Sequence, residues 1–121
     1  MPDPDPTDGP VLVTVTYQVP ADNTDAFLTA MRAVGRSRRR TGATRWAIYQ
    51  DSATPGQFVE AFTVGSWSEH MRQHTDRVTG YDQQLLDTPR ALADGQPDVR
   101  HLISPRMPPQ VQPTDRSPSS G

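Results

Sequence analysis

Apolar positions along the chain recur with two periods. Val11 to Val19 (VLVTVTYQV) alternates, with Val11, Val13, Val15 and Tyr17 on one face and Leu12, Thr14 and Thr16 on the other. This pattern predicts a strand, ended by Pro20. Phe27, Ala30, Met31 and Val34 then recur at i, i+3, i+4 and i+7, the single stripe of a helix. Asp22 or Asn23 is placed to cap it, and Gly42 to stop it beyond a run of arginines. Thr44 to Asp51 (TRWAIYQD) predicts a second strand, with Trp46 and Ile48 opposite Ala47 and Tyr49. Pro55-Gly56 suits a type II turn into a third strand, in which Phe58, Glu60, Phe62 and Val64 share a face.

Gly65 breaks that strand, and Ser66 stands three residues before Glu69, the spacing of a capping box. On the helix this opens, Trp67, His70, Met71 and His74 fall on one face. Thr79 and Asp82 repeat the cap spacing, Tyr81, Leu85 and Leu86 supply an apolar side, and Thr88-Pro89 restarts the helix. Asp98 to Ser104 (DVRHLIS) predicts a short last strand.

The order strand, helix, strand, strand, helix, strand is that of an α+β, ferredoxin-like βαββαβ fold. Right-handed crossovers put both helices on one face of a four-stranded antiparallel sheet. Because both faces of the first strand carry apolar residues, the other sheet face needs a cover, and a second copy of the chain supplies it most simply. A homodimer is expected.

Composition sharpens the domain limits. Nine of the 13 prolines lie before Val11 or after Ile103. The folded domain is therefore expected over 11–104, with a disordered Pro/Asp-rich segment at 1–10 and a disordered Pro/Ser-rich tail at 105–121. With no cysteine, disulfides, thiolate metal sites and a cysteine nucleophile are excluded. No apolar run reaches the roughly 18–20 residues needed to cross a bilayer, and no secretory signal precedes the domain, so a cytoplasmic location is expected.

The net charge is −2, yet Arg32, Arg36, Arg38, Arg39, Arg40 and Arg45 fall in one interval without an acid. A helix C-terminus favours such cations, and a solvated turn tolerates them. The sharper reading is contact with an anionic membrane surface through Arg36, Arg38, Arg39 and Arg40. Nucleic acid is not an expected partner, given the negative net charge and the lack of a recognition motif.

His70 and His74 have a spacing that can hold a metal, with His101 as a third ligand, but H-E-x-x-H is absent and no metal is expected. Trp46, Tyr49 and Trp67 suit either a small core or the lining of an aromatic ligand pocket. Glu60 carries more information. A carboxylate in an apolar strand must lie at an edge, be paired, or serve a function. The arginine cluster or Arg100 offers it a partner.

These residues resemble the antibiotic biosynthesis monooxygenase superfamily, whose members form dimeric α/β barrels of this topology. The likeness rests on a strand ending in Gly65, then Ser66-Trp67, then a helix with His70 and His74. The chain looks closer still to the soluble C-terminal domain of bacterial major-facilitator exporters of the transmembrane secretion effector type. There the matching stretches are Gly9 to Val19, Gly42 to Asp51, Phe58 to His74 and Val99 to Ile103. It departs from them in lacking membrane helices, as a freestanding relative or a fragment would.

The resemblance implies an accessory or small-molecule-binding domain, with Trp46, Tyr49, Glu60, Trp67 and His101 around an aromatic or hydrophobic ligand. It also implies a second reading, a monooxygenase that needs no cofactor. A base, His70 or His74, would deprotonate a phenolic substrate, whose anion reacts with dioxygen directly. Trp67 would wall that pocket and Glu60 orient a histidine. A third reading is a dimerisation module without a ligand.

Overall fold

The computed structural model describes residues 9–66, 80–105 and 108–110. The strands are β1 (Val11–Gln18), β2 (Arg45–Gln50), β3 (Gln57–Val64) and β4 (Asp94–Ile103). The helices are α1 (Thr24–Arg40), α2 (Gly80–Leu85) and α3 (Asp87–Leu92). The sheet has the order β2-β3-β1-β4, and every pair is antiparallel. This is the ferredoxin-like α+β arrangement, with β1 and β3 central.

Alternation decides which side chains meet. Val11, Val13, Val15 and Tyr17 of β1 are buried on the face that also carries Phe58, Glu60, Phe62 and Val64 of β3. Across the ladders Val15 lies between Glu60 and Val99, and Val13 between Phe62 and His101. Phe27, Met31 and Val34 of α1 close this face, each burial stabilising the fold by about 1.5–3 kcal/mol. Tyr17, Phe27 and Phe58 form a run of edge-to-face and tilted rings with centroids 5.1 and 5.4 Å apart.

Several local expectations change. Among the described residues, no side-chain hydrogen bond caps the N-terminus of α1. A 3₁₀ turn at Ala21–Asn23 leads into it instead, and Asn23 Nδ2 donates to the Leu92 carbonyl, tying the helix entry to the end of α3. The turn at Pro55-Gly56 is closed by a 2.8 Å bond from the Gln57 amide to the Thr54 carbonyl, but it is not type II, since only Gly42 and Gly95 have positive φ among the described glycines. Asp51 Oδ1 organises this loop by accepting the Ala53 and Thr54 amides. The restarted helix begins at Asp87, so Pro89 sits inside the first turn, where its missing donor leaves no bond unmade.

The last strand is longer than expected and runs through Pro97. It lies at the sheet edge, and the register shifts between Thr16 and Gln18 of β1 opposite it, where a strand tolerates proline.

Gly35 of α1 packs directly against the Trp46 indole of β2. A Cβ there would lie 2.8–2.9 Å from three ring atoms of Trp46. Gly35→Ala should therefore destabilise the protein by about 1–3 kcal/mol in denaturant titration, although alanine favours an exposed helix interior by roughly 0.5–1 kcal/mol. Unchanged or raised stability would show that the indole is free to move.

Candidate functional site

Glu60 is wholly buried on a central strand, so its charge must be met from inside the protein. Arg38, in the last turn of α1, reaches down to it. Its Nε donates to Oε2 at 2.8 Å and its Nη2 to Oε1 at 3.2 Å, a two-pronged pairing that the planar guanidinium favours. Trp46 Nε1 donates to Oε2 at 2.9 Å from β2. The guanidinium also lies over the Phe62 ring, 4.4 Å from its centroid. The side chain of Arg38 is 20% exposed, so this pair is shielded from water on most sides.

On the same side of the sheet lies a cavity of about 240 Å³. Val13, Val15, Val99 and Phe62 form its sheet wall, and Leu85 and Leu86 its helix wall. Its polar lining includes Tyr17, Arg38, Arg90 and His101, with Ser37 and Asp82. Ser37 Oγ donates to Asp82 Oδ1 at 2.8 Å, and Arg40 pairs with the same oxygen, so this second buried acid clamps α1 to α2.

Tyr17 is 1% exposed, and among the described residues its hydroxyl makes no hydrogen bond. Burial, then the nearby Glu60 charge, raise its pKa from 10.0 to about 12, against the opposing pull of Arg38 and Arg90. The phenol is thus a neutral donor throughout the physiological range.

The structure brings Trp46, Glu60 and His101 to the helix-covered face, although only His101 of these lines the cavity. Tyr49 points to the opposite face, 60% exposed, because it stands three residues from Trp46 on an alternating strand. Trp67, His70 and His74 lie outside the described residues. Glu60 takes Arg38 as its partner, while Arg100 pairs with Asp98 at the surface.

The arginines of the run divide between the protein interior and its surface. Arg38 turns inward to Glu60, while Arg40, though paired with Asp82, stays half-exposed alongside the exposed Arg32, Arg36 and Arg39 of α1. Tyr17 and Arg90 were not singled out from the sequence. Tyr17 had a signal, its place on the apolar face of β1; for Arg90 there was none.

The chain belongs to the family described as transmembrane secretion effector, which matches residues 3–109. Among the described residues no helix is long and apolar enough to cross a membrane. No curated protein matches the chain. Its fold is that of solved structures described as candidate antibiotic biosynthesis monooxygenases. The one from Caulobacter crescentus has a TM-score of 0.69 at 13% identity, covering 83% of this chain and 93% of that one. The one from Bordetella bronchiseptica gives 0.67 at 14%, covering 81% and 99%. The one from Nitrosomonas europaea gives 0.63 at 21%, covering 86% and 96%. At these identities the likeness establishes the fold.

The Tyr17 environment makes stability depend on alkaline pH. Below pH 10 the phenol is protonated in both folded and unfolded chains, and this dependence is flat. Between pH 10 and about 12 the unfolded chain ionises first, so stability should fall by about 2–3 kcal/mol through this group. Denaturant titrations over that window check it. Tyr17→Phe should remove this component, and an identical alkaline loss in the variant would contradict the assignment.

Proposed function

We propose that the chain is a small-molecule-binding domain whose ligand occupies the cavity between the sheet and its helices. The observation that supports it most is the buried Tyr17 hydroxyl, without a hydrogen-bond partner among the described residues, in a cavity with apolar walls of Val13, Val15, Phe62, Leu85, Leu86 and Val99. A buried hydroxyl without a partner costs about 1–3 kcal/mol, a loss that a ligand oxygen recovers. Apolar walls with a few fixed polar groups are the usual make-up of a ligand site, and about 240 Å³ suits a molecule of one or two rings. The unit works in the cytoplasm on this reading, as an accessory domain of the exporter type.

A homodimer belongs to the same proposal. Leu12, Tyr49 and Leu102 stand exposed on the sheet face away from the helices, and a second copy laid there would cover them. Tyr49 is thereby a dimer contact and not a pocket residue.

The monooxygenase reading draws support from the fold shared with the candidate monooxygenases above. It assigns the base to His70 or His74 and needs no cofactor, with Trp67 as a pocket wall. Fold alone does not carry a reaction, so binding stands first.

A thermal-shift panel of one- and two-ring aromatic acids, amides and phenols tests the binding reading. A ligand at 100 times its Kd adds about 2.7 kcal/mol and raises Tm by several degrees in a domain of this size. Val99→Trp, which fills the cavity from a half-exposed position on the edge strand, should abolish the shift while the unliganded protein still unfolds cooperatively. A panel that leaves Tm unchanged, or shifts that survive Val99→Trp, would overturn the site and favour a dimerisation module.

A further inference from the structure

The charges around the cavity restrict what it can take. Three arginines, Arg38, Arg40 and Arg90, stand at it or against its polar lining, facing two carboxylates, Glu60 and Asp82. Glu60 is held by Arg38 and Trp46, and Asp82 by Ser37 and Arg40. Among the described residues, one positive charge is left over. It belongs to Arg90 on α3, whose side chain makes no hydrogen bond or ion pair among the described residues.

Arg38 is only partly used. Glu60 takes Nε and one Nη2 proton, and among the described residues the Nη1 protons have no acceptor. A guanidinium has five donors in a rigid plane, so a group already fixed on one edge offers the others in a set direction. Tyr17 adds a buried hydroxyl, and Tyr17, Arg38 and Arg90 all line the same cavity.

We propose, resting on the ligand-site reading above, that these three groups form a carboxylate subsite of the cavity for a small apolar monocarboxylic acid. Arg90 supplies the balancing charge, while Arg38, held in place by Glu60, and Tyr17 donate hydrogen bonds to the carboxylate oxygens. The body of the acid lies against Val13, Val15, Leu86 and Val99. A single surplus charge fits a monoanion better than a phosphate dianion, whose second charge would meet Glu60 and Asp82 instead of a cation.

The test compares 2-naphthoate with 2-naphthamide, which share a ring system and differ in charge, by calorimetry on the full chain at low salt. Naphthoate should bind at least tenfold tighter than naphthamide. Arg90→Gln, at an exposed position, should remove most of that preference by weakening naphthoate far more than naphthamide. Equal affinity for acid and amide, or a preference untouched by Arg90→Gln, would overturn the carboxylate subsite and leave the ligand site standing. Failure of both probes to bind would overturn this inference together with the reading beneath it.

Discussion

A carboxylate with no access to water, set in the middle of a small sheet, is the constraint that the rest of this structure answers. Glu60 has Val15 and Ile48 as its strand neighbours, and neither can offset the cost of burying a charge. That cost is several kcal/mol, and it is offset only where partners are fixed in good geometry. Arg38 comes from α1 and Trp46 from β2, so one side chain binds three elements together. The demand spreads outward from there. Trp46 can reach Glu60 beneath the helix only because Gly35 leaves room for its indole, and Arg38 can reach it only if α1 ends directly above β3.

The same device explains how the cavity acquires polar walls without loosening the core. Arg38 is locked by Glu60 below and Phe62 beside it, so it presents its remaining donors without needing to be ordered by a ligand. A second clasp, Ser37 and Arg40 on Asp82, works from the next positions of α1 and holds the helix wall. Consecutive residues near the end of α1 thus serve different surfaces: one the sheet, one the neighbouring helix, and Arg39 the solvent. Membership of the secretion effector family and the monooxygenase-like fold frame this arrangement, while the ligand reading rests on these side chains.

Much of the architecture was legible in the sequence. Alternation in β1 and β3 and the Phe27–Met31–Val34 stripe carry their burial directly, because each reflects a single face. Elements decided by competition were less legible. Asn23 has a cap-forming side chain, but the carbonyl of Leu92, distant in sequence, won it. Pro97 reads as a break until the register shift and edge position of β4 are known. For Glu60 the sequence demanded a partner and could not choose it, since adjacent positions of α1 hold an arginine that faces the sheet, Arg38, and one that faces water, Arg39. That Tyr17 and Arg90 line one cavity depends on tertiary placement alone, with no spacing in the chain to signal it.

The most direct test of this account is a double-mutant cycle on the buried pair, with Arg38→Met, Glu60→Leu and the two combined, read as unfolding free energy. Breaking one side of such a pair leaves an uncompensated buried charge and should cost about 3–5 kcal/mol. The double variant should lose less than the two single losses together, and no more than the larger of them. Small, additive losses would contradict it, and would mean that Glu60 is tolerated in the core without organising the helix, the indole and the cavity around itself.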